Sequence, residues 1–200
     1  MTAALLSGTT AVAIGTSAGG VEALSVILPA LPAGCLAPVF VVIHQPRHWP
    51  SLLVDIFQPR CAVPIREAED KEPVVPGTVY FAPPDYHMLV DRTSTGVHVS
   101  LSADAPVHYS RPSVDVLFEA AADVYGPRLL GMVLTGASPD GAAGLAAIHR
   151  AGGRTMVQSP GTAQVPLMVE AALRSCPVDH VLTLDEIAGM LATLEQGQVR

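Results

Sequence analysis

AVAIGTSAGGVEAL, residues 11–24, is a run of small and apolar residues that ends in a glycine turn, carries a serine in that turn at position 17, and passes through two more glycines into a segment with helical spacing. A short β-type run, a glycine turn and a helix form the repeating unit of a parallel α/β sheet. The unit recurs along the chain. PVFVVIH (38–44), LLGMVLT (129–135) and RTMVQ (154–158) read as further strands, and their unbroken apolar character implies burial on both faces. GVEALSVILPAL, SLLVDIFQ, SVDVLFEAAADVYG, DGAAGLAAIHRAG and LDEIAGMLATL read as helices. Between about residues 60 and 110 the texture changes to TVYFAP, YHMLVD and GVHVSLS, separated by Pro, Asp and Gly turns, with RTSTG as a hairpin loop and Gly96 free to take a positive φ. The expected fold is α/β: a three-layer, doubly wound, mostly parallel sheet with an antiparallel hairpin insertion over residues 60–110. Residues 1–10 read as a short extension and residues 11–194 as one domain.

Composition narrows the function. Two hundred residues, half of them apolar, suffice for a sizeable core. A net charge of −7 with only 11 Lys plus Arg offers no basic stripe for a phosphate backbone, so nucleic acid is not an expected partner. Cys35, Cys61 and Cys176 lie far apart, which fits neither a disulfide framework nor a thiolate zinc site and suits a reducing compartment. No apolar run reaches the roughly 18 residues of a membrane span, and MTAALLSGTT lacks a basic secretory start. A cytoplasmic protein with no membrane insertion is expected.

The opening loop admits two chemistries. In an open parallel sheet, ligands gather at the carboxyl ends of the strands, so residues 15–20 are well placed for either. A dinucleotide loop needs glycine where Ser17 stands, and no Asp or Glu occurs from Ala23 through Val54 to hold a ribose. A G-x-x-x-x-G-K-[ST] loop is also missing. The alternative is a nucleophile: Gly15-Thr16-Ser17-Ala18-Gly19 is G-x-S-x-G on a strand-to-helix turn. A helix-capping serine is the bland reading of the same residues.

A serine hydroxyl needs a base, and the base needs a carboxylate to fix its tautomer. His44 closes the strand PVFVVIH, on the edge where Ser17 closes its own. The other six histidines, His48, His87, His98, His108, His149 and His180, fall within a helix, within a β-like run, or in loops and strand starts with no matching nucleophile. Pairing His44 with His48 on a metal is disfavoured by Pro46, which breaks a continuous helix between them. Asp140, in the loop after LLGMVLT, is the third strand-end residue, although an Asp-Gly there also suits a turn or cap. Three strand ends thus supply complementary chemistry at one rim, and Ser17, His44 and Asp140 are expected to form a catalytic triad. The order Ser, His, Asp differs from that of ordinary α/β-hydrolases.

These segments together resemble the catalytic domain of the CheB-type chemotaxis protein-glutamate methylesterases over residues 11–194. AIGTSAGGVEAL is similar to that family's nucleophile loop, VVIHQP to its histidine segment and VLTGASPDGAAGL to its acid loop; EAEDKEPVVPGTVYFAPPDYHM and RPSVDVLFEAA match its recurrent phrases in order. The resemblance implies a serine hydrolase that demethylates glutamyl methyl esters on the cytoplasmic domain of a methylated chemoreceptor and releases methanol, with glutamine deamidation as a possible extension. No cofactor and no metal are implied. The oxyanion donors would be the backbone N–H groups of Ala18 and Ala137. Two features depart from the family: the acid loop reads TGASPDG where T-G-M-G-x-D-G is common, and Ala18 stands where threonine is often found. No attached receiver domain is expected, so the chain reads as a free-standing esterase or a trimmed piece, with a separate receiver protein as a possible regulator.

Several smaller readings follow. Pro112 or Ser113 is expected to open a helix, with proline at its first position. Arg111 could meet an acidic receptor segment, although a structural role explains a lone arginine as well. Trp49 could sit at the site rim. The readings that compete with a receptor methylesterase are a nucleotide-binding module, a small-molecule esterase and a non-catalytic interaction domain.

Overall fold

The computed structural model describes residues 6–47 and 50–194. In chain order the strands are Ala11–Thr16 (β1), Val39–Ile43 (β2), Ile65–Glu67 (β3), Val79–Phe81 (β4), His87–Thr93 (β5), Gly96–Ser102 (β6), Leu129–Val133 (β7), Arg154–Gln158 (β8) and His180–Leu182 (β9). The helices are Gly20–Ile27 (α1), Leu53–Phe57 (α2), Val114–Tyr125 (α3), Ala142–Arg150 (α4), Leu167–Ser175 (α5) and Leu184–Leu191 (α6).

Seven strands make one parallel sheet in the order β3-β4-β2-β1-β7-β8-β9. Every residue of β1, β2, β4 and β7 is buried, as unbroken apolar runs require when helices cover both faces. Successive side chains alternate between the faces. Val12, Ile14, Val39 and Val41 pack with Leu24 and Ile27 of α1 and Ile187 of α6. Ala11, Ala13, Phe40 and Val42 pack with Leu117 and Phe118 of α3, Leu145 of α4 and Met168 of α5. The result is the expected three-layer, doubly wound architecture. Strand order reverses at β1: the chain runs to β2 on one side and later places β7 on the other, so a topological switch point opens above β1 and β7.

The antiparallel part is smaller than the sequence suggests. Among the described strands β5 and β6 alone pair antiparallel, joined through Ser94 and Thr95, with Gly96 at φ +124°. TVYFAP does not belong to that insertion: β4 pairs parallel with β2 and β3, widening the main sheet. Strands of three residues are too short to show a period, and the flanking Pro76 and Gly77 imitate hairpin punctuation. Helix α5 is a second difference, absent from the expected elements. Its buried residues Met168, Val169 and Ala172 form a stripe little more than one turn long. The first predicted helix is shorter than expected, because α1 ends at Ile27 and Pro29 lies in a following 3-10 turn. Helix α3 begins one residue later than expected: Ser113 is its cap, accepting from Val116 N, and Pro112 precedes the cap. Among the described residues no helix is long and apolar enough to cross a membrane.

Candidate active site

Ser17 follows β1 directly. Its N–H donates to Thr135 O at 3.0 Å, and its carbonyl accepts from Gly20 N at 2.9 Å, closing the turn into α1. Gly19, at φ +78°, makes that turn possible. Thr135 organises the loop from below. Its carbonyl also accepts Thr16 Oγ1 at 2.8 Å, its hydroxyl donates to Ala18 O at 2.9 Å, and its N–H donates to Gln158 Oε1 at 2.9 Å. Gly136 comes next to Ser17 so closely that a Cβ there would lie 2.9 Å from Ser17 Cβ and would collide with Met168 Sδ. The N–H groups of Ser17 and Gly136 are both paired, the latter with Val165 O. Those of Ala18 and Ala137 have no hydrogen-bond partner among the described residues, and both residues are exposed.

His44 is one step beyond β2. Parallel pairing sets Thr16 beside Ile43, and His44 N donates to Thr16 O at 3.2 Å, which places His44 and Ser17 on adjacent strand ends. Its Nε2 lies 2.8 Å from Asp140 Oδ2, and its Nδ1 lies 3.3 Å from Ser110 Oγ. The Ser17 hydroxyl makes no hydrogen bond among the described residues. The structure therefore joins His44 to Asp140, and carries Ser17 on the adjacent strand end with no side-chain bond to the pair among the described residues.

Asp140 is wholly buried. Its Oδ1 accepts Ser113 Oγ at 2.8 Å and Asp115 N at 3.0 Å; its Oδ2 accepts Val114 N at 2.7 Å as well as His44. Three of these donors sit at the start of α3, where unpaired N–H groups and the helix dipole favour an anion. Gly15 admits that helix end to the sheet edge, because a Cβ on Gly15 would collide with Val114. Burial pushes the Asp140 carboxyl up, but the hydrogen bonds from His44, the α3 backbone and Ser113 outweigh it and hold the carboxyl below its ordinary value. An ionised Asp140 fixes the proton of neutral His44 on Nε2 and leaves the Nδ1 lone pair facing away from the acid.

Sequence reasoning missed Asp115, which mirrors Asp140. Its Oδ1 accepts Gly141 N at 2.9 Å and Gly144 N at 2.7 Å, so the first turn of α3 caps α4 while Asp140, two residues before α4, caps α3. Burial raises the Asp115 carboxyl, and the nearby Asp140 charge adds to the rise. Ser113 and Thr135 were also missed; the serine following Pro112 at the head of an apolar run was the one available signal, as a cap.

Other singled-out residues have structural partners. Arg111 donates to Asp85 Oδ1 from both Nε and Nη2, and to the carbonyls of Ala103 and Asp104, so it ties loops together. Buried His87 accepts from Ser113 N on Nδ1 and donates to Ala105 O from Nε2. His98 meets Thr93 and Thr95 in the hairpin, and His108 Nε2 lies 3.4 Å from Asp115 Oδ2. His48 and Trp49 lie outside the described residues. Among the described residues no three His, Cys, Asp or Glu side chains converge on a metal position.

The chain as a whole is similar to known proteins. The family model of the CheB methylesterase matches residues 12–191. The chain belongs to the CheB methylesterase family. A Leptospira interrogans relative, 42% identical over 189 residues, spans 94% of this chain and 96% of its own, and its name gives protein-glutamate methylesterase and protein-glutamine glutaminase activity provisionally. A Cereibacter sphaeroides protein named protein-glutamate methylesterase/protein-glutamine glutaminase 2 is 44% identical over 176 residues, covering 88% of this chain but 48% of its own length. The crystal structure of the Thermotoga maritima CheB methylesterase catalytic domain superposes with a TM-score of 0.89 at 31% identity, over 94% of this chain and 99% of that one.

Proposed function

We propose that this chain hydrolyses glutamyl methyl esters on the cytoplasmic part of a methylated chemoreceptor, with Ser17 as nucleophile, His44 as base and Asp140 as the acid that orients it. The observation that carries the reading is the His44–Asp140 pair on the strand edge of a serine loop whose neighbouring N–H groups, at Ala18 and Ala137, have no partner among the described residues. The family membership and the names of the relatives supply the substrate class.

In this mechanism Ser17 Oγ attacks the ester carbonyl while its proton passes to His44 Nδ1, since Nε2 is committed to Asp140. The carbonyl oxygen becomes an oxyanion held by the N–H groups of Ala18 and Ala137, with the partial positive charge of the α1 N-terminus behind Ser17. His44 returns the proton to the methoxy oxygen and methanol leaves. Water, deprotonated by the same nitrogen, then attacks the acyl-enzyme and regenerates Ser17 with a free glutamate. A glutamine side chain would follow the same path with ammonia as the leaving group, which is the glutaminase activity in the relatives' names. Ala137 donates from its backbone, so the side-chain difference in the acid loop leaves this role intact.

The test is methanol release from radiomethylated receptor membranes by the intact protein and by Ser17→Ala. Release by the former and none above background by the latter supports the assignment. Release that persists in Ser17→Ala removes Ser17 from the role, and no release by the intact protein removes the receptor ester as substrate. A small-molecule esterase would instead cleave soluble esters and leave the membranes methylated.

A further inference from the structure

His44 has two ring nitrogens, and each has a partner. Nε2 faces Asp140 at 2.8 Å, and Nδ1 faces Ser110 Oγ at 3.3 Å. With the ring proton on Nε2, Nδ1 is an acceptor and the Ser110 hydroxyl is the donor. That lone pair is the one that must take the proton of Ser17, and it cannot serve two hydroxyls at once. We propose that Ser110 is a positioning residue that holds His44 in the resting site, and that substrate settling on Ser17 displaces it, so that residues 107–110 act as a latch on the base. The proposal rests on the reading of Ser17 as nucleophile and His44 as base.

The segment that carries Ser110 is built to yield. Val107 and Ser110 exchange both backbone hydrogen bonds, at 3.1 and 2.8 Å, around a two-residue turn. Both turn residues, His108 at φ 48° and Tyr109 at φ 63°, occupy the left-handed region, which in such turns is the place of Asn-Gly. Backbone held there without glycine is strained, and it persists only where its surroundings hold it. Here the surroundings hold it weakly. Tyr109 is 98% exposed, so its ring is no anchor. The tip is tied by Arg47 Nη2 to Tyr109 O at 3.3 Å, by His108 Nε2 to Asp115 Oδ2 at 3.4 Å, and by Ser110 to His44. The charged and titratable groups around the base are accounted for by these contacts. Asp140 meets Nε2 from the loop after β7. On the turn, His108 is directed at Asp115. Arg47, on the loop of His44 itself, points to Tyr109 O and, at 3.7 Å, to Asp85.

The experiment compares the full chain with Ser110→Ala, Ser110→Thr and Ser17→Ala, measuring kcat/KM for methanol release from methylated receptor membranes across pH, with circular dichroism to verify folding. The latch predicts that Ser110→Ala raises the plateau about two- to five-fold, the size one net hydrogen bond allows. Ser110→Thr keeps the hydroxyl and keeps the parent profile, and Ser17→Ala is inactive. In Ser110→Ala the Nδ1 nitrogen resonance of His44 shifts as well. A folded Ser110→Ala with parent rate and profile overturns the latch while the nucleophile assignment stands, and so does a folded but inactive Ser110→Ala. Activity in Ser17→Ala overturns the assignment of the nucleophile itself, whichever way Ser110→Ala behaves.

Discussion

The loops that follow β1 and β7 lie side by side at the switch point, yet they treat their polar groups in opposite ways. After β1, the Ser17 hydroxyl and the Ala18 N–H are left without partners among the described residues, on a half-buried and an exposed residue. After β7, the Asp140 carboxylate is wholly buried and takes four donors. Unpaired groups at a rim are available to a ligand, whereas saturated buried groups fix geometry and are costly to disturb. The difference separates the residues that would touch substrate from those that place them.

The contrast makes its largest claim at Ser17. Ser17→Ala should lower methanol release by about 10⁴-fold or more while stability stays within about 0.5 kcal/mol, since no side-chain bond is lost. Activity assays paired with urea titration check both halves. Asp140→Asn should fail on both counts. Each carboxylate oxygen receives two donors, so an amide nitrogen at either position meets donors head-on. A stability loss of about 2–4 kcal/mol and a kcat loss of about 10³-fold or more are expected.

Gly136→Ala lies between the two loops. The added methyl would press on Ser17 Cβ and Met168, and misplacing the proposed nucleophile should lower kcat about 10²-fold at a stability cost of about 1–3 kcal/mol. Asp115→Asn should be mildest. Only Oδ1 holds the backbone donors of Gly141 and Gly144, and an amide oxygen can accept both. A change within about 1 kcal/mol is expected in urea titration.

The two aspartates also predict opposite pH behaviour. The Asp140 carboxyl is lower in the fold than its unfolded value of about 3.9, so its contribution is present above that value and is lost as pH falls through the lower folded value. The Asp115 carboxyl is raised, so its buried charge opposes folding at neutral pH, and protonation relieves that cost as pH falls through the raised value. Thermal unfolding followed from pH 7 downward should therefore show Asp115→Asn removing a gain in stability that the parent makes above about pH 4, and Asp140→Asn flattening the loss below it.

Much of this was legible in the chain. AVAIG, PVFVVIH and LLGMVLT are long enough for their apolar character to declare buried parallel strands, and strand ends in such a sheet share an edge, which is why Ser17, His44 and Asp140 could be grouped before any coordinates. What was not legible depends on contacts between distant segments. Thr135 and Ser110 earn their places from partners 117 and 66 residues away, and nothing local to either marks it. The reciprocal capping by Asp115 and Asp140 needs two helix starts to meet, a property of packing and not of either helix. β4 was misread because three residues carry no period, and only its register with β2 reveals it as part of the main sheet.

Two hydroxyls approach the site of His44, and the account holds that only Ser17 forms the covalent bond. Mass-spectrometric mapping of the intact protein after a serine-directed phosphonate tests this most directly. The adduct should fall on the peptide carrying Ser17 and vanish in Ser17→Ala; an adduct on Ser110, or labelling unchanged in that variant, would contradict the account.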